Sequence, residues 1–207
     1  MRRSFEEILM ATTLSERPGI EIALPAAKPP AALAKVLQAR HSSRAFAPQP
    51  LTLEELGALL WGAFGINRQD GPRRTAPSAH NWQEIDVYAV TAAGAYRYEP
   101  QGHRLLRVSD DDLRAHTGVQ DFVAGAPLNL VYVADFARME GASSDEKQFL
   151  AGCDSGCIAQ NVYLCCATMG LACVVRGLID RARLAGALRL RPQQRVTLAQ
   201  SVGRPLT

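Results

Sequence analysis

The sequence predicts an α+β fold: a mixed or antiparallel sheet of about four or five strands flanked by helices, one of them long. Three observations predict it. Short apolar runs separated by glycine signals read as a small antiparallel meander between Ile85 and Val108. Leu128–Val133 is nearly continuous in apolar residues, which suits a central strand. Asp145–Met169 carries helical spacing through Ala159, Val162, Tyr163, Cys166 and Met169.

Taken in order, residues 1–25 are poorly patterned and read as an N-terminal arm, with Ile20–Pro25 extended; residues 26–207 read as a single domain. A helical segment, Ala31–Ala39, follows Pro29-Pro30, which suits helix entry. Thr52 with Glu55 three residues on forms a capping box, Leu56, Leu59, Leu60 and Phe64 give the apolar face, and Gly65 ends the helix. Residues 66–80 read as loop. The meander has strands at Ile85–Val90, Tyr96–Tyr98 and Leu105–Val108, followed by a short helix over Asp110–Ala115. In the long helix small residues are frequent (Gly152, Ser155, Gly156, Ala159) and the second half is apolar nearly all round, so it belongs inside the molecule or at a dimer seam. Gly170 stops it; a strand at Leu171–Val175, a helix at Asp180–Leu190 and a last strand at Val196–Val202 follow.

Composition narrows the function. With 207 residues, 47% hydrophobic and 21% charged, the chain has room for one core. A net charge of +3, with basic residues scattered, does not point to nucleic acid. No segment has the length and apolarity of a membrane span, and Glu6 and Glu7 interrupt any signal-peptide core, so a cytoplasmic protein is expected. The five cysteines fall between Cys153 and Cys173, an odd number bunched in one region, which suits neither a disulfide framework nor a metal site. His41, His80, His103 and His116 lack a serine or cysteine partner for nucleophilic catalysis.

Four segments remain. Arg40-His41-Ser42-Ser43-Arg44 places two guanidinium groups around hydroxyls, as a phosphate cradle would, though a solvated basic turn at a helix end has the same composition. Pro77-Ser78-Ala79-His80-Asn81-Trp82-Gln83 offers hydroxyl and amide groups to a flat, polar-edged ligand, or to its own turn. Gly170–Gly177 delivers backbone groups through a helix stop, a strand and a glycine turn. Val202-Gly203-Arg204-Pro205 returns an arginine after the final strand.

In this order, with Gly156, Gln160 and Asn161 in the long helix, the four segments resemble the nitroreductase superfamily of flavoenzymes over most of the chain from about Ile22 to Arg204. Ile22–Pro25, Pro50–Leu56 and Arg74–Ala79 also look like the SagB-type dehydrogenase subgroup related to azoline-forming oxidases. The resemblance implies FMN at the interface of a homodimer whose core is the long helix. Arg40, Ser42 and Arg44 would hold the phosphate, ribityl chain or flavin edge, His41 would contribute backbone, and Arg204 would support the phosphate. Pro77, Ser78, Ala79 and Asn81 would come from the other subunit and line the isoalloxazine. A backbone N–H at Arg176–Gly177 would face flavin N5.

The implied reaction is hydride transfer from NAD(P)H to an electron-poor small-molecule acceptor, nitroaromatic or quinone-like. An azoline-type dehydrogenase, a non-catalytic flavin-binding redox module and an FMN-free domain are the other readings. Ala172 stands where the family often has a second glycine, and Arg176 adds a side chain near N5. The stretch between Asp135 and Asp145 is short where relatives often carry substrate-covering helices.

Overall fold

The computed structural model describes residues 29–68, 71 and 73–206; the expected arm, residues 1–25, lies outside them. In chain order, α1 (Ala31–Ala39) leads through β1 (Phe46–Ala47) to α2 (Leu53–Phe64) and the short strands β2 (Ile66–Arg68) and β3 (Arg73–Arg74). Then come β4 (Ile85–Thr91), β5 (Gly94–Glu99), β6 (Arg104–Ser109) and β7 (Leu128–Asp135). α3 (Ser144–Met169), β8 (Ala172–Arg176), α4 (Arg181–Ala187) and β9 (Gln194–Pro205) follow.

Among the described residues seven strands form the main sheet, in the order β1-β9-β7-β4-β5-β6, with β8 also on β9. Every pairing is antiparallel. The α+β expectation holds, and the sheet exceeds the four or five strands expected partly because β1, two residues long, is too short to leave a pattern. β7 is central, as its apolar run implies, and all its residues are buried. Alternation along the strands divides the core in two. Val87, Ala89, Leu130 and Tyr132 pack with Leu59 and Leu60 of α2 and Ile158 and Val162 of α3. Tyr88, Val90, Val131 and Val133 face the other way, towards Leu184 of α4 and Leu188 just beyond it.

Helix ends follow local chemistry. Thr52 Oγ1 accepts from Glu55 N–H at 3.1 Å while Thr52 N–H donates to Glu55 Oε2 at 2.8 Å. α3 has a second capping box, Ser143 with Glu146, so it starts one residue before the expected Asp145. It ends at Gly170, in left-handed backbone (φ 67°). On the side away from the sheet, α3 exposes Phe149, Gly152, Cys153, Gly156, Cys157 and Gln160.

Three expectations need correction. Asp110–Ala115 forms no α-helix; one 3-10 turn at Arg114–His116 takes its place. Asp111 N–H donates to Ser109 Oγ and Arg114 N–H to Asp112 Oδ1, both at 3.1 Å, so side chains capture donors that a helix would need. The helix expected over Asp180–Leu190 is confined to Arg181–Ala187, with Asp180 as its N-cap. Residues expected as loop contain the β2–β3 ribbon. Among the described residues no helix is long and apolar enough to cross a membrane.

The β4–β5 turn depends on Gly94, whose φ is +131° and whose added Cβ would lie 2.4 Å from the Ser109 carbonyl oxygen. Gly94→Ala is expected to lower unfolding free energy by about 1–3 kcal/mol, read from the urea midpoint at unchanged slope.

Candidate functional site

The turn after α1 is pinned to two other elements. Ser43 N–H donates to Cys173 O at 2.9 Å, which lays the turn along β8. Ser42 Oγ lies 2.8 Å from the Tyr163 hydroxyl, and the same hydroxyl accepts from Val175 N–H at 2.9 Å. Since the Tyr163 oxygen is an acceptor for Val175, its proton is available to Ser42. The half-buried Arg40 holds its guanidinium 5.3 Å from the centre of the Tyr163 ring. His41 is exposed, with Nδ1 2.9 Å from Ala39 O, and Arg44 is exposed. Neither Arg40 nor Arg44 forms an ion pair with a described residue.

A cavity of about 200 Å³ opens here, lined by Arg40, His41, Tyr163, Cys166, Cys173 and Pro205 among others. The end of β9 passes beside it through the pairs Phe46–Pro205 and Ala47–Arg204. Arg204 is nevertheless committed: its Nη2 donates to both Glu55 oxygens, at 2.9 and 3.0 Å. The Thr52 backbone N–H, followed by Arg204, holds the Glu55 carboxyl below its ordinary range.

Arg176 points elsewhere. Cys173 and Val175 belong to the α3 side of the sheet, whereas Arg176 shares the opposite side with Ser201 and Asn129. It is 5% exposed and donates to Thr117 O at 2.7 Å, Asn129 Oδ1 at 2.9 Å and Ser201 Oγ at 3.2 Å. Burial pushes its pKa down to about 10. Gly177, just past β8, is exposed.

The second cluster is the 77–83 loop. Ser78 Oγ accepts from Gln83 N–H at 3.1 Å, and Gln83 Nε2 donates to Asn81 Oδ1 at 3.1 Å. Arg74 Nε donates to Gln83 Oε1 at 2.8 Å. His80, Asn81 and Gln83 adopt left-handed backbone, with φ of 50°, 56° and 50°. Ala79 N–H donates to Asp154 Oδ2 on α3 at 2.8 Å. Pro77 and Asn81 are exposed; Ser78 and Ala79 are half-buried.

One chain therefore keeps Arg40, His41, Ser42 and Arg44 in one turn, with Arg204 at the end of β9 and Gly177 just past β8, but holds the 77–83 loop apart from them. Their anchors on α3, Tyr163 and Asp154, are about 14 Å apart along the axis at roughly 1.5 Å per residue. Sequence reasoning missed Tyr163, Asp154 and Glu84. A tyrosine rather than a phenylalanine on a buried helix face was a signal, because a buried hydroxyl seeks partners. Two guanidinium groups without carboxylate partners, beside a hydroxyl fixed by Tyr163, fit an anionic group such as a phosphate.

Comparison with known proteins gives a concordant picture. The sequence model of the Nitroreductase family matches residues 37–204. A Methanocaldococcus jannaschii protein that bears the nitroreductase name is 31% identical over 155 residues, 70% of this chain and 78% of that protein. A crystal structure from Ralstonia eutropha JMP134, likewise named for nitroreductase, is 40% identical with a TM-score of 0.81, covering 92% of this chain and 88% of that one. A Desulfovibrio desulfuricans structure of the same name, solved with FMN, matches with a TM-score of 0.63 over 87% of this chain and 89% of that one. At 22% identity its likeness is one of fold.

Tyr163→Phe removes the acceptor of Val175 N–H and the partner of Ser42 while keeping the ring. Stability is expected to fall by about 1–3 kcal/mol, measured by chemical denaturation.

Proposed function

Since this chain belongs to the nitroreductase family, we propose that it is an FMN-dependent oxidoreductase passing hydride from NAD(P)H to an electron-poor acceptor, nitroaromatic or quinone-like. The observation that carries this reading is Arg40 lining a cavity beside a Ser42 hydroxyl fixed by Tyr163, with Arg44 exposed in the same turn and neither arginine ion-paired with a described residue. Bound FMN would supply the hydride chemistry at its N5 atom.

The chain's own residues bind and orient. Arg40, Ser42 and Arg44 would hold the phosphate and ribityl chain. Arg204, balanced by Glu55, would add long-range support more than a full contact. Arg176 acts through its backbone, because its side chain is fixed on the other side of the sheet. Gly177, exposed and without a side chain, would present backbone to the hydride-accepting edge.

Pro77, Ser78, Ala79 and Asn81 would line the ring from a second copy. Their separation from Arg40 along α3 supports this, as does the exposed stripe of small residues on that helix, which lets two helices approach closely. The connection from Asp135 to Ser144 holds only one 3-10 turn, Phe136–Arg138, so no inserted α-helix covers the site there. The five free cysteines suit a reducing cytoplasm.

The test is an anaerobic spectral titration. FMN-loaded protein should bleach with NADH or NADPH and recover with a nitroaromatic or quinone. Bound FMN that neither nicotinamide reduces would overturn the NAD(P)H reading and favour the dehydrogenase alternative. Arg40→Ala should weaken FMN binding about 10- to 150-fold, the worth of one charge-assisted contact of roughly 1.5–3 kcal/mol. Arg204→Ala should weaken it less, as fluorescence titration would measure.

A further inference from the structure

The 77–83 loop rests on two buried acids. Asp154, 6% exposed, accepts the Ala79 N–H at 2.8 Å. Glu84, which follows the loop, is 0% exposed, and neither of its carboxyl oxygens accepts a hydrogen bond from a described donor. Its backbone is fixed by Asp135 N–H, which donates to Glu84 O at 2.9 Å. Its carboxyl lies against that of Asp154. Two carboxylates in contact in a dry interior repel, and neither carries a donor. A single proton between them turns one into a donor and removes the second charge.

We propose that Glu84 and Asp154 share a proton, with Glu84 donating to Asp154, and that this acid pair is a positioning device holding the 77–83 loop in its ligand-facing shape. That the loop faces FMN rests on the function proposed above. The chain of contacts is direct: Glu84 to Asp154, Asp154 to Ala79 N–H, and Ala79 to the residues assigned to the flavin ring. Removing the proton leaves two negative charges behind the loop and sets Asp154 against Glu84 instead of holding Ala79.

The charges acting on Glu84 come from two elements. Asp154 on α3 opposes its ionisation, and Arg138, in the turn after β7, favours it. Arg138 is otherwise engaged: Nη2 donates to both Asp86 oxygens at 2.9 Å and Nη1 to Gln83 O at 2.9 Å. Burial, with Asp154 adding to it, pushes the Glu84 carboxyl up to about 7. A folded-state value above the ordinary carboxyl range means that the folded protein binds the extra proton. The pair's stabilisation is then complete at acid pH, declines as pH rises above the ordinary value, and is gone past 7.

The experiment follows FMN affinity by fluorescence quenching, and the unfolding midpoint of FMN-free protein, from pH 5.5 to 8.5. It uses wild type, Glu84→Gln and Asp154→Asn. In wild type the midpoint should fall through pH 7 and the FMN dissociation constant should rise by up to about tenfold per pH unit above it. Glu84→Gln keeps a donor towards Asp154 at every pH and should flatten both profiles relative to wild type. The titration of the FMN phosphate itself is common to all three proteins and cancels in that comparison. Asp154→Asn, which removes the opposing charge but not the burial, should move the fall in midpoint to lower pH than in wild type, and serves if Glu84→Gln does not fold. Equal pH slopes in wild type and both variants would overturn the acid pair. A pH-dependent midpoint abolished by Glu84→Gln, with no FMN bound by any variant, would keep the acid pair and overturn the cofactor reading.

Discussion

The Tyr163 hydroxyl is the point on which the candidate site depends. It belongs to α3, accepts from the backbone of β8 and reaches the turn after α1. The turn lies more than a hundred residues before α3 and β8, and this one hydroxyl joins it to both. The ring below the hydroxyl is a platform for Arg40, so the aromatic face and the polar tip act on one turn together. Ser43, bonded to Cys173, adds a backbone tie beside it. The cradle is therefore built on the rigid join of a helix and a sheet, and its precision comes from that join.

Charge placement follows a related logic. Arg176 is a buried cation met by neutral oxygens of Thr117, Asn129 and Ser201 and, among the described residues, by no carboxylate. Burial of such a group is tolerable when its donors are satisfied, and it is then fixed in place. Arg204 is balanced by Glu55, which also caps α2, so the helix start and the end of β9 are tied through one carboxylate. Among the described residues Arg40 and Arg44 have neither arrangement, and Arg40 lines the cavity. Positive charge that a fold leaves unneutralised at a cavity is available to a ligand.

Much of this was legible in the sequence. The Thr52–Glu55 capping box, the meander and the apolar run of β7 are local signals, and each produced its element. The Asp110–Ala115 helix failed because Ser109, Asp111 and Asp112 can bond the backbone themselves, a competition that apolar spacing does not register. The order of Arg40, Ser42, Arg44, Ser78 and Arg204 carried the family resemblance. What it did not carry was commitment: whether Arg204 was free or paired, and which side of the sheet Arg176 occupied. Strand alternation decides the second, and it needs the exact register of β8 against β9. Glu84 and Asp154 lie seventy positions apart, and no local pattern joins two acids at that distance.

β9 pairs with β7 along one edge and with β8 and then β1 along the other. All three partners precede it in the chain, and β1 lies at the far end, with Phe46 opposite Pro205. Pairings across such a sequence span carry a large loop-closure cost and form slowly. The β4–β7 strands can assemble from near neighbours, but until β9 docks, β7 keeps an open apolar edge and β8 and β1 have no strand to join. The Arg40 turn thus gains its footing on the sheet only in the closing stage of folding, and cofactor capture belongs to that stage or follows it.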